Sequence, residues 1–279
     1  MAVNLYSTIS MKLLSNKNAV IYGAGGSLGS AIAKAFAAAG ANVYLTGIHA
    51  DKVQAVADTI NATAGVAHVA QVDALDEKQV TDHLASIAAP VDISFNAIGW
   101  KDVQGRLLTD MSMSDFMQPI ENALRSNFIT ATAAAKHMFQ QQRGVILTLT
   151  ATPGGIGYAN VGGFGPACCA LESLTRDLAS EVGIHGVRVV NIRSGGSPDS
   201  EVFVRAKEQN PEAMTEALNK MANDTMLKQL PLMEDIAQAA IFLVSDLASK
   251  ITGCTIDITV GTTQALNYLV TPVKFADRQ

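Results

Sequence analysis

Cysteine is scarce in this 279-residue chain. Its three residues, Cys168, Cys169 and Cys254, contain no Cys-x-x-Cys spacing. That excludes a zinc ribbon or a disulfide scaffold and points to a reducing compartment, the cytoplasm. Positive charge is short as well. Lys and Arg number 20 against 25 Asp and Glu, for a net charge of −5 with no basic block, which argues against a nucleic-acid partner. No run of about 18 apolar residues is present, so no membrane span is expected. The N-terminus carries only Lys12 and Lys17 and no long apolar region, so no signal peptide is expected. His137 and His185 have no second ligand spaced to match them, so no metal site is expected. Against these absences stands a hydrophobic content of 48% with only 16% charged residues, enough for a large core.

What is present is organised around residues 18–49. Ala19-Val20-Ile21-Tyr22 is a short apolar run of β-formers and reads as a buried strand. Gly23 to Gly29 is a tight turn in which Gly23, Gly26 and Gly29 recur at every third position, with Ser27 and Leu28 between the last two. Ser30 to Ala39 is alanine-rich and predicts a helix stopped by Gly40; Val43-Tyr44-Leu45 predicts the next strand. Strand, glycine turn, helix and strand within about 30 residues make the βαβ unit that binds a dinucleotide. Glycine lets the backbone approach a pyrophosphate, and free N–H groups at the helix start supply positive potential.

Downstream, helices are expected over 51–61 and 76–88, and strands over 66–72 and 91–95. Two helices are expected over 113–142, a strand over 144–150 and a helix over 168–182. A strand over 187–192 is followed by a polar insertion with helical pieces at 195–230, a helix over 233–245 and a last strand over 255–260. The alternation implies a single doubly wound, Rossmann-like α/β domain over residues 1–279, with its core at 17–265 and a parallel sheet covered by helices on both faces. Its ligand belongs beyond the strand C-termini, where Gly23–Gly29, Asp73, Asn96 and Thr150 converge.

In this order the landmarks resemble the short-chain dehydrogenase/reductase family. Asp73, followed by Ala74, matches the acid that contacts the adenine. Asn96-Ala97-Ile98-Gly99 resembles the Asn-Asn-Ala-Gly motif, and Asn127 matches the asparagine of the catalytic tetrad. Within the family, residues 144–152 and 165–172 look most like the enoyl- and 2,4-dienoyl-thioester reductase branches. The resemblance implies an NAD(P)-dependent oxidoreductase acting on a small-molecule substrate. It also implies a homo-oligomer, a tetramer or dimer, packed through the helices at 113–142 and 168–182.

Departures from the family pattern fall on the chemistry. The catalytic Tyr-x-x-x-Lys falls on Phe164 and Cys168, and the catalytic serine on Ala151. The alternative tyrosine position of the dienoyl branch is Pro153. Phe cannot donate a proton, Ala cannot hydrogen-bond a carbonyl, and Cys cannot supply the ammonium that lowers a tyrosine pKa and holds the ribose. Ordinary ketone reduction therefore lacks its acid. Ser27 replaces the middle glycine of the usual turn. After the second strand, Thr46-Gly47-Ile48-His49 holds no acid for a ribose 2′-hydroxyl. NADP(H) is thereby favoured over NAD(H), with His49 the residue to meet a 2′-phosphate.

Tyr158 is the one tyrosine near the expected site, either as an acid or as a loop residue on the pocket wall. Thr150 and Thr152 are further donors by position. Cys168 and Cys169 are expected at a helix start, where a thiolate would be stabilised, or as small core residues. Two functions remain open on the sequence. One is an oxidoreductase with a non-standard site, Asn127, Tyr158 and Thr150, acting on an enoyl or other apolar carbonyl-conjugated substrate. The other is a catalytically inactive or non-redox protein that binds a dinucleotide.

Overall fold

The apolar run at Asn18–Tyr22 forms β1, buried along its whole length. It pairs in parallel with β2 (Asn42–Gly47) on one side and β4 (Ile93–Asn96) on the other. The computed structural model describes residues 12–264, so the lead-in at 1–11 and the last expected core position, 265, lie outside the described residues. Adding β3 (Val66–Gln71), β5 (Gly144–Ala151), β6 (Val187–Ser194) and β7 (Cys254–Ile258) gives a seven-stranded sheet in the order β3-β2-β1-β4-β5-β6-β7. Every ladder is parallel. Strand order reverses between β1 and β4, which makes that gap the topological switch point, where such sheets bind ligands.

Helices cover both faces, as parallel strands buried on two sides require. One layer holds α1 (Ser27–Ala38), α2 (Ala50–Asn61) and α8 (Met233–Val244), whose Ile32, Phe36, Val53 and Ile241 pack with Ile21, Leu45 and Phe95. The other holds α3 (Glu77–Ser86), α4 (Met113–Gln141) and α5 (Phe164–Val182), whose Leu84, Met138 and Val182 pack with Val20, Ile146 and Val189. The 195–230 insertion forms α6 (Glu201–Gln209) and α7 (Pro211–Asn223).

Two elements differ from expectation. The stretch 113–142 holds one helix of 29 residues, Met113–Gln141, rather than two. Pro119 lies inside it and costs it a hydrogen bond. The buried face from Ala123 to Met138 and the Ser112 cap, which accepts from Asp115 N–H at 3.1 Å, hold the helix continuous. Helix α5 begins at Phe164, four residues before the expected start. Pro166 falls in its first turn, where a missing N–H has no intrahelical partner to lose. Cys168 and Cys169 therefore lie in the second turn, not at the helix start.

Candidate active site

The glycine turn is built for close approach. Gly23 adopts φ +74°, and a Cβ there would lie 2.9 Å from the Ala97 carbonyl and the Ile98 nitrogen. A Cβ on Gly29 would lie 2.3 Å from the Gly23 oxygen. The two residues thus bring α1, β1 and the loop after β4 into backbone contact at the switch point. The first amides of α1 have no intrahelical acceptor, and no side chain caps them. Such amides are suited to an anion.

From this turn a groove of about 290 Å³ runs past the ends of β2 and β3. It brings together Gly23, Gly26, His49, Asp73, Ala74, Ala97 and Ile98. Ser27, Leu28 and Gly29 stand at the start of α1, outside this lining. Asn96 is buried behind it; its Oδ1 accepts from Ile98 N–H at 3.1 Å, and its Nδ2 donates to Thr130 at 3.1 Å. Asn96 thus orders the loop rather than lining the groove. Asp73 Oδ1 accepts from Leu75 N–H at 2.9 Å. These features, a cradle that Cβ atoms would fill and free helix-start amides, fit a dinucleotide.

Lys52, in the first turn of α2, lines the same groove as His49 and was not singled out in the sequence. A cation in a helix's first turn opposes the helix dipole, so its place is favourable when an anion sits against it. That opposition was a readable signal, but only three-dimensional proximity to Gly25 gives it a purpose.

The positions onto which the family resemblance puts the catalytic serine, tyrosine and lysine are carbon-rich. Trp100, Ala123, Ala167, Cys168 and Leu171 form a buried cluster, with Ala151 and Phe164 packed against it. Cys168 is fully buried, and burial pushes its thiol up to about 12, so it is neither a thiolate nor a nucleophile at neutral pH. Asn127 is buried too. Its Nδ2 donates to the Ala123 carbonyl at 2.9 Å, and its Oδ1 has no partner among the described residues.

Thr150 does not face a substrate with a free proton. Its buried hydroxyl donates to Glu172 Oε1 at 2.9 Å and accepts from Asn191 Nδ2 at 2.7 Å. Glu172 in turn receives Arg193 Nε at 3.0 Å and a second guanidinium nitrogen at 2.5 Å. The remaining arm of Arg193 reaches Asp257 at 3.1 Å. Burial raises the Asp257 pKa, but hydrogen bonds from Thr259, Thr263 and Arg193 outweigh it and hold the carboxyl below its ordinary value.

Tyr158 is 47% exposed and lines a second cavity, of about 430 Å³, beyond the ends of β5 and β6. Thr152, Lys220, Met221, Asp224 and Pro231 share its wall. Tyr158 and Thr150, grouped as candidate donors by sequence, therefore face different surroundings.

Fold and groove together define a doubly wound, Rossmann-like α/β scaffold with a cradle for a dinucleotide. A family profile described as Enoyl-(Acyl carrier protein) reductase matches residues 23–263. The chain is 31% identical over 257 residues to the 7alpha-hydroxysteroid dehydrogenase of Escherichia coli (strain K12), covering 91% of this chain and 97% of that protein. Levodione reductase superposes with a TM-score of 0.83 at 25% identity, covering 91% of this chain and 100% of the other. A Beutenbergia cavernae protein provisionally named an NAD(P) dependent gluconate 5-dehydrogenase, with NADP bound at low occupancy, gives 0.77 at 26% identity, covering 90% and 98%. The chain belongs to the short-chain dehydrogenase/reductase family.

Proposed function

We propose that this protein is an NADP(H)-favouring oxidoreductase that reduces a carbonyl-conjugated alkene, with Tyr158 as its hydrogen-bond donor. One observation carries the reading. The groove at the switch point keeps its glycine cradle, while Ala151, Phe164 and Cys168, which the family resemblance assigns to carbonyl chemistry, lie in or against the apolar cluster around Trp100. When bound, the dinucleotide supplies the hydride. The chain's own residues bind and orient. The α1 amides would hold the pyrophosphate, Asp73 would contact the adenine, and His49 and Lys52 would hold the 2′-phosphate. Tyr158 donates to the developing enolate oxygen, and Ile156, Met221, Leu230 and Pro231 hold the apolar body of the substrate. Protonation at carbon needs no positioned side chain, because water can supply that proton after reduction.

NADP bound in a relative, and a lysine beside His49 in the groove, support the cofactor preference. The assembly we infer is a homotetramer or dimer packed through α4 and α5; Phe128 stands 57% exposed on α4.

Titration with NADPH and NADH, followed by a scan of enoyl thioesters and ketones for loss of dihydronicotinamide absorbance, tests the reading. Tight NADPH binding with enoyl turnover is expected. Failure of both dinucleotides to bind at millimolar concentration overturns the cofactor reading. Binding with no turnover of any enoyl substrate favours the inactive dinucleotide-binding alternative.

A further inference from the structure

Helices α6 and α7 are unusual in this chain, because neither contains a buried residue. Their hairpin is held at its two ends. Before it, both carboxylate oxygens of Asp199 accept from Met233 N–H at 3.2 Å. After it, Met226 N–H donates to the Val260 carbonyl at 3.1 Å. Between these anchors one bond ties the hairpin to the dinucleotide groove: Glu201 N–H, at the start of α6, donates to Ser27 Oγ at 2.9 Å. Ser27 and Glu201 are separated by 174 positions in the chain. Ser27 opens α1, where the amides are free, and Glu201 lines the groove beside Gly25, Gly26 and Lys52.

A hydroxyl can accept and donate at once. Toward α6, Ser27 Oγ acts only as an acceptor, and its own proton has no acceptor among the described residues. We propose that Ser27 is a positioning residue whose hydroxyl bridges a dinucleotide phosphate and the α6–α7 hairpin, so that cofactor binding and hairpin closure stabilise each other. The Ser27 proton goes to a phosphate oxygen while its lone pair keeps the Glu201 N–H. Polarisation along such a chain strengthens both bonds. Coupling is reciprocal, so a hairpin held shut slows cofactor loss by the same factor that cofactor holds the hairpin. A glycine at this position would leave the turn able to bind phosphate and sever the link.

The phosphate arm rests on the dinucleotide reading given above; the hairpin arm does not, which makes the two separable. Trypsin sites at Arg205 and Lys207, both exposed on α6, report hairpin opening. Without dinucleotide, Ser27→Ala is expected to speed cleavage there by about threefold to tenfold, the worth of one net hydrogen bond, while Ser27→Thr cleaves like wild type. With saturating NADPH, wild type and Ser27→Thr are protected further, and Ser27→Ala gains little. Equal cleavage of wild type and Ser27→Ala in the absence of NADPH overturns the hairpin arm. Equal NADPH protection of the two overturns the coupling. If NADPH fails to bind wild type at all, the cofactor reading falls with the coupling, and the measurement without NADPH still decides the latch.

Discussion

The indole of Trp100 lies 5.3 Å from the ring of Phe164, centroid to centroid, at an interplanar angle of 45°. The resemblance to the family places its phenol at Phe164, where this contact is made of carbon. The variant Ala151→Ser, Phe164→Tyr, Cys168→Lys installs the three polar groups that the family resemblance assigns to these positions. It is expected to raise ketone reduction by about 10²-fold or more, because a positioned general acid contributes about 10²- to 10⁴-fold. Loss of dihydronicotinamide absorbance with a ketone series measures it. No gain over wild type would show that the scaffold does not present cofactor to these positions. Ordinary ketone turnover by wild type would overturn the assignment of the tetrad positions.

Lys52 shares a groove with His49, and its value is expected to be specific to a phosphate. A hydrogen bond to a charged group is worth about 1.5–3 kcal/mol, so Lys52→Ala should weaken NADPH binding by about tenfold or more. NADH binding should not change. The only tryptophan, Trp100, lies next to the groove residues Ile98 and Gly99, so its emission reports both titrations. Equal weakening of the two dinucleotides would remove Lys52 from 2′-phosphate recognition.

Breaking the Glu172–Arg193 pair should be costly. Glu172 is 8% exposed, and Arg193→Met leaves its carboxylate buried without a cation. A loss of about 3–5 kcal/mol in urea unfolding at neutral pH is expected. Asp257 gives the pH dependence a sign. Its folded pKa lies below its unfolded value, so its contribution is complete above the ordinary carboxylate pKa. That contribution is lost as pH falls from there through the lowered folded value. Asp257→Asn should flatten the acid limb of the stability profile in that window, and an unchanged acid limb would contradict the cause assigned to the shift.

Tyr22 offers a stabilising substitution. Its hydroxyl is fully buried and has no partner among the described residues, and burial raises its pKa. Tyr22→Phe removes a donor that folding strips of water without return. An unsatisfied buried polar group costs about 1–3 kcal/mol, so the unfolding midpoint should rise. A fall would mean that the hydroxyl has a partner in solution.

Local signals made the fold readable. The apolar run at 19–22, the glycine turn and the alanine-rich helix are each encoded within a few residues. The alternation of strands and helices then leaves few ways to wind the sheet. Boundaries that depend on packing were less readable. Pro119 does not end α4, because the face from Ala123 to Met138 is buried, and nothing local to Pro119 announces that burial. The candidate groove was readable where strand ends bring its residues together. Gly23, Asp73 and Ala97 fall on one groove because strand order puts them there. The candidate site was not readable where it is assembled across elements. Glu172 and Arg193 meet across α5 and β6, and their pairing occupies the hydroxyl of Thr150, which by sequence was free to act.

The apolar cluster around Trp100 also makes this site hard to change in small steps. Phe164→Tyr alone sets a hydroxyl against the indole contact, and Cys168→Lys alone sets an ammonium at a fully buried position. Each costs stability before it can act, because the polar groups satisfy one another only when present together. Their effects should therefore be strongly non-additive. The polar and the apolar versions of the site then stand as two separate peaks, with poorly folded single substitutions in the valley between them, and a sequence on one peak is effectively held there.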